Sequence, residues 1–127
     1  MVMLTGYVFL VICTTIIFRE CYSEARYALI PFDTYESLYI KRIAQIILNV
    51  ILFVPIGLFG GVTIKEFKKV ALCGLILSVV IETTQLITKT GICSTDDVIH
   101  NTIGCVLGYL VYLMIRNIYR ISIQRLT

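Results

Sequence analysis

The stretch from Ile43 to Val62, IAQIILNVILFVPIGLFGGV, decides the fold class, because its twenty residues include no charged side chain. A helix of this length covers about 30 Å, which is the thickness of the hydrocarbon core of a bilayer. Three further apolar stretches lie at about residues 1–18, 70–87 and 98–118. We therefore predict an all-α membrane protein, in which one domain, residues 1–127, forms a bundle of four transmembrane helices.

The composition agrees with a membrane protein and disfavours a nucleic-acid-binding one. Of the 127 residues, 58% are hydrophobic and 15% are charged, which leaves too few polar residues for a water-facing surface. The net charge of +3 comes from basic residues scattered between the apolar stretches, whereas nucleic-acid-binding proteins gather such residues into a patch. We expect membrane lipids as partners and no nucleic acid.

Basic residues in the connections predict how the chain is oriented in the cell membrane. The connection after the second stretch carries Lys65, Lys68 and Lys69 against the single acid Glu66. The end of the fourth stretch and the residues after it carry three arginines and no acid: Arg116, Arg120 and Arg125. Because positive connections stay in the cytoplasm, we expect both termini inside and the first and third connections outside.

The first connection, residues 19–42, is rich in aromatic side chains. These are Tyr22, Tyr27, Phe32, Tyr35 and Tyr39. Tyrosine is enriched where a membrane meets water, so an interfacial loop between helices 1 and 2 is expected on the outer surface. A lid over a binding site is the alternative.

Polar residues near the outer ends of three helices form the candidate site. The pairs at helical spacing are Gln45 with Asn49, Glu82 with Gln85, and Asp97 with Asn101. A carboxylate facing lipid is costly, so Glu82 is expected to face the bundle interior. We predict a ligand-binding set of Asn49, Glu82, Gln85, Asp96, Asp97 and Asn101. The alternative is that these groups only bond one helix to another.

The fourth helix carries a small-residue motif on the same face as two of these polar residues. Asp97, Asn101, Gly104 and Gly108 follow one another at spacings of four, three and four. A GxxxG pair lets a second helix approach closely. We therefore expect another helix to pack against Gly104 and Gly108.

Metal and disulfide chemistry receive little support from the residue spacing. Asp96 and His100 are four apart and could hold a divalent ion with Glu82. Asp96 is equally natural as the N-cap of the fourth helix, so no metal is predicted and the cofactor is left open. Cys21 and Cys93 are both expected outside, but their spacing does not determine whether they pair.

Four groups of residues together resemble the VanZ-like family of membrane proteins, which is named for an association with teicoplanin resistance. They are Leu29-Ile30-Pro31-Phe32; Asn49 with Phe53, Pro55 and Gly57; Glu82-x-x-Gln85; and Asp96-Asp97 followed by Asn101, Gly104 and Gly108. The resemblance implies a role in the bacterial cell envelope and in tolerance of glycopeptide antibiotics. Gly91 and Ser94 stand where the family often carries an arginine and a further aspartate, which disfavours a metal-centred mechanism.

Three functions stay open from the sequence. In the first, an outward-facing polar pocket binds a lipid headgroup, a lipid-linked cell-wall precursor or an amphiphilic antibiotic. In the second, the chain is an intramembrane enzyme for a lipid-linked substrate, with Glu82 as acid or base and Asp97 and Asn101 positioning the substrate. In the third, Glu82 supports proton-coupled transport or only holds the bundle together.

Overall fold

A computed structural model describes residues 2–17, 22–28 and 39–124, and this part of the chain is mostly helical. The elements are α1 (Val2–Ile12), which continues as a π-helical turn (Cys13–Ile17), β1 (Arg26–Ala28), α2 (Tyr39–Thr63), α3 (Phe67–Thr88), β2 (Ile92–Ser94) and α4 (Thr95–Gln124).

Three of these helices are long and apolar enough to cross a bilayer. The spans are Ile43–Thr63, Phe67–Thr88 and Thr95–Ser122, and a shorter apolar helix covers Leu4–Thr15. Helices at the second, third and fourth predicted stretches are thus confirmed. The last helix is longer than predicted at both ends, because the polar residues that flank the apolar stretch continue the same helix.

The small-residue motif of α4 packs directly on α2, which confirms the predicted close approach. A Cβ on Gly104 would overlap the carbonyl oxygen of Val50, and one on Gly108 would overlap that of Val54. Gly57 of α2 faces the backbone of α4 in the same way. Backbone therefore meets backbone along this interface, and side chains larger than hydrogen do not fit there.

One stripe of α3 faces the other helices. It consists of Val70, Gly74, Ser78, Ile81, Glu82 and Gln85. At Gly74 this stripe meets the side chain of Cys105, since a Cβ there would lie 2.6 Å from Sγ. The apolar core adjoins the polar residues and includes Phe53, Ile81 and Tyr109. The polar end of the stripe is therefore held at the end of a packed bundle.

A two-stranded parallel sheet joins the first and third connections. Tyr27 of β1 is paired with Cys93 of β2, and the N–H of Tyr22 donates to the carbonyl oxygen of Lys89 over 2.9 Å. The sequence did not predict this sheet, because three residues are too few to show an alternating pattern. Phe32, Tyr35 and Cys21 lie outside the described residues, so the aromatic loop and the Cys21–Cys93 pair stay predictions.

Candidate functional site

All six residues predicted to bind a ligand are buried. None of them exposes more than 7% of its surface: Asn49, Glu82, Gln85, Asp96, Asp97 and Asn101. The prediction that Glu82 faces the bundle interior is thus confirmed, with 4% of its surface exposed. The five other residues are likewise turned away from lipid.

Glu82 accepts a hydrogen bond from the start of α4. Its Oε2 atom lies 2.8 Å from the backbone nitrogen of Ser94, the residue that precedes the helix. Asp96 and Asp97 both lie in the first turn of α4. The alternative in which Asp96 is the N-cap of this helix is therefore wrong. The positive end of a helix dipole stabilises carboxylates. The start of α4 therefore stabilises the three carboxylates of this corner, those of Glu82, Asp96 and Asp97.

Side-chain hydrogen bonds tie the polar end of the bundle together. Gln45 donates from Nε2 to Oδ2 of Asp97 over 3.3 Å, which connects α2 to α4. Asn101 donates from Nδ2 to the hydroxyl of Ser78 on α3 over 2.8 Å. These bonds support the interpretation of polar residues as contacts between helices.

Gln85 connects α3 to the end of the first helix. Its Nε2 atom donates to the backbone carbonyl oxygen of Thr15 over 2.8 Å. Thr15 lies in the π-helical turn, and turns of this kind are frequent at functional sites. Gln85 therefore bonds α3 to the first helix, whereas Asp97 bonds α4 to α2 and Asn101 bonds α4 to α3.

A groove of about 640 Å³ lies between the π-helical turn, the first half of α2 and the connection before α4. Its described lining consists of Thr14, Thr15, Tyr22, Ala44, Gln45, Leu48, Asn49, Leu52, Gly91 and Ile92. Within the described part of the chain, Asn49 is the one member of the predicted set in this lining. Glu82, Asp96 and Asp97 are absent from this described lining, and Asp97 is connected to it by the hydrogen bond from Gln45.

Sequence reasoning missed most of the groove. It placed Gln45 on one face with Asn49, and both residues do line the groove. Thr14 and Thr15 carried no signal, and Tyr22 stood out only as one aromatic residue of the outer connection, because the groove forms only when the end of α1 and this connection meet α2. Gly91 has a φ of 108°, a backbone conformation that side chains with a Cβ rarely adopt. An arginine at this position would be strained.

Several buried polar atoms lack hydrogen-bond partners among the residues that the structure describes. They are Nδ2 of Asn49, Oε1 of Gln85, Nδ1 of His100 and Oδ1 of Asn101. An unsatisfied buried group costs about 1–3 kcal/mol. Bonds between helices therefore explain only part of the polar chemistry here, and of these four residues Asn49 is the one in the described lining of the groove.

The acids give this corner a negative potential. Burial raises the pKa of the half-buried Cys93 thiol in β2, and the nearby carboxylates of Glu82 and Asp97 raise it further. Within residues 2–17, 22–28 and 39–124, no three His, Cys, Asp or Glu side chains lie close enough to share a metal ion.

Comparisons with known proteins agree with the pattern of residues. The model of the VanZ/LLP1 family matches residues 3–116. Protein VanZ from Enterococcus faecium is 41% identical over 71 residues, which cover 54% of this chain and 44% of that relative. The match therefore spans less than half the length of that relative. No solved structure matches the chain. With nearly its whole length matched and three helices able to cross a bilayer, the chain is a membrane protein that belongs to the VanZ/LLP1 family.

Proposed function

We propose that this chain is a multi-pass protein of the bacterial cell membrane whose outward-facing groove binds an amphiphile and thereby contributes to glycopeptide tolerance. The ligand would be a lipid-linked cell-wall precursor or an acylated drug such as teicoplanin. Membership of the VanZ/LLP1 family supports the envelope role. The observation that carries the proposal is the groove itself, with the unsatisfied amide of Asn49 in its wall.

Contacts of the first helix support a single domain of four transmembrane helices. α1 and its π-helical turn span Val2–Ile17, which corresponds to about 24 Å of helix. The hydroxyl of Tyr7 donates to the carbonyl oxygen of Leu52 over 2.9 Å, and Gln85 holds the other end at Thr15. We infer that α1 crosses the bilayer as the fourth helix of the bundle.

The distribution of charge supports an outward-facing groove. The connection between α2 and α3 and the first turn of α3 carry the exposed residues Lys65, Lys68 and Lys69, at the opposite end of these helices from the groove. By the positive-inside rule this connection is cytoplasmic, which puts both termini inside and the groove at the outer leaflet.

The lining of the groove suits an amphiphile in size and chemistry. Its volume of about 640 Å³ is in the range of small-molecule sites. Leu48 exposes 65% of its surface, so this part of the wall borders lipid and would let an acyl chain lie along α2. Threonine and amide side chains in the same lining provide hydrogen bonds for a polar head.

The buried acids fit a supporting role better than a catalytic one. An enzyme with Glu82 and Asp97 as acid or base would present them to the substrate, whereas neither residue is in the described lining. Glu82 instead bonds to the start of α4, and Asp97 bonds to Gln45. In our proposal Asn49 contacts the ligand, and the rest of the set positions the walls around it: Glu82, Gln85, Asp96, Asp97 and Asn101.

Drug tolerance of a susceptible host that expresses matched variants tests this proposal. Asn49→Leu removes the amide and fills part of the groove. Thr83→Leu is the control, because Thr83 is exposed and bonds only to the carbonyl oxygen of Val79 in its own helix. We expect tolerance of teicoplanin with the wild type and the control, and its loss with Asn49→Leu. The amounts of protein in the membrane are compared by immunoblot.

A glycopeptide without an acyl chain distinguishes the two ligand sources. Tolerance of the acylated drug alone would indicate that the drug is the ligand, whereas tolerance of both drugs would indicate a cell-wall precursor. Undiminished tolerance with Asn49→Leu, at equal amounts of protein, would contradict a functional groove.

A further inference from the structure

We propose that the groove recognises a secondary amide, through Gln45 as acceptor and Asn49 as donor, in a ligand whose amide is joined to a long apolar chain. The inference rests on the proposed function and specifies the chemistry of its ligand. It comes from the hydrogen-bonding atoms of Gln45 and Asn49 that stay available to a ligand after the protein has folded.

The two side chains have complementary capacity. Gln45 uses Nε2 to bond Asp97, which leaves its Oε1 atom as an acceptor in the groove wall. Asn49 also belongs to the lining, and its buried Nδ2 donor has no partner among the described residues; a ligand carbonyl oxygen that reached this donor would satisfy it. The bond to Asp97 also fixes which end of the Gln45 amide is the acceptor.

The spacing of the pair matches an amide group. Gln45 and Asn49 are four residues apart on α2 and both line the groove. Side chains at this spacing have Cβ atoms about 6 Å apart. The N–H and C=O of a trans amide point in opposite directions, so one ligand amide can donate to Gln45 and accept from Asn49.

The electrostatics favour an uncharged head over a free phosphate. The described lining carries no charged side chain, and Asp97 lies directly behind Gln45. Two cations at this end of the molecule already have partners. The guanidinium of Arg26 lies 4.3 Å from the centre of the Tyr22 ring, and Nζ of Lys89 donates to a backbone carbonyl oxygen over 3.1 Å.

Apolar side chains complete the site. Leu48 and Leu52 stand on the same helix as the amide pair, and Ile92 faces them from the third connection. An alkyl chain attached to the amide would lie against these residues and continue into the bilayer past Leu48. An acetamido sugar on a lipid and an acylated peptide both carry this chemistry.

Binding of synthetic amphiphiles to the full chain in phosphatidylcholine nanodiscs tests the inference. The chain contains no tryptophan, so Leu48→Trp puts a single fluorophore in the groove wall. Two pairs of probes differ only in the amide. One pair is dodecyl 2-acetamido-2-deoxyglucoside and dodecyl glucoside; the other is N-dodecanoylalanine methyl ester and the analogue with an ester oxygen in place of the acylated nitrogen, which contains no amide.

We expect at least one amide probe to bind about tenfold or more tightly than its partner, because the unmatched partner leaves a buried polar group unsatisfied. The pair of probes with the larger difference in affinity shows whether the recognised amide belongs to a sugar or to a peptide. Asn49→Asp, which keeps the shape but removes the donor, and Gln45→Met, which removes the acceptor, should each reduce the preference. Thr83→Val should leave it unchanged, and thermal unfolding of each variant confirms that it is folded.

Equal affinity within both pairs would overturn amide recognition while leaving a groove that binds amphiphiles. If none of the four probes changed the fluorescence or bound by native mass spectrometry, the groove itself would be refuted, and the proposed function with it. A preference that survives in both folded Asn49→Asp and Gln45→Met would also overturn the assignment.

Discussion

Replacing Gly108 by alanine tests whether α2 and α4 are held together by contact between their backbones. The added Cβ would overlap the carbonyl oxygen of Val54 and lie 2.8 Å from its carbonyl carbon and 2.9 Å from the backbone nitrogen of Leu58. Carbon atoms pack at about 3.5–4.0 Å, and the overlap with the carbonyl oxygen is closer still, so the helices must separate by roughly 1 Å or more. No side-chain rotation can relieve the contact, because all three atoms are backbone.

The expected magnitude follows from two opposing effects. Overpacking costs about 1–3 kcal/mol, and alanine is favoured over glycine in a helix by about 1 kcal/mol. The cost should exceed the gain here, since the contact is with backbone on both sides. We expect the free energy of unfolding of Gly108→Ala to fall by roughly 1–2 kcal/mol.

Titration with sodium dodecyl sulfate in mixed micelles, followed by circular dichroism, measures this change. Gly6→Ala is the matched control, because a Cβ on Gly6 meets nothing within 4 Å among the described atoms. The control should unfold like the wild type or slightly later. Equal unfolding free energies for Gly108→Ala and Gly6→Ala would refute the reasoning from close approach.

Two predictions concern the acidic corner. Glu82→Gln keeps an oxygen for the N–H of Ser94 and should lower the free energy of unfolding by about 1 kcal/mol, whereas Glu82→Leu leaves that donor unsatisfied and should lower it by about 2–3 kcal/mol in the same titration. Equal losses would contradict the hydrogen bond. Burial and two carboxylates raise the pKa of Cys93 above its usual 9.0, so in a variant with this one cysteine the rate of alkylation should still increase above pH 9. Asp97→Asn lowers that pKa and should speed alkylation at pH 8, and an unchanged rate would show that the charge does not act on the thiol.

Much of the architecture could be predicted because a bilayer imposes simple constraints on a chain. A helix must be long enough for the hydrocarbon core, and this alone located α2, α3 and α4. The cost of a carboxylate in lipid predicted that Glu82 faces inward. The spacing of Gly104 and Gly108 predicted a close helix contact, although it did not indicate that α2 would be the partner.

Tertiary structure alone decided what the polar residues do. The sequence predicted that Glu82 faces the bundle interior, and the fold supplied the N–H of Ser94 as a hydrogen-bond partner. The groove depends on Thr15 and Tyr22, which are brought to α2 by the π-helical turn and by the pairing of β1 with β2. Hydrophobic length and helical spacing are properties of single segments and can be read along the chain. Hydrogen bonds and cavities arise between distant segments, and no periodic pattern records them.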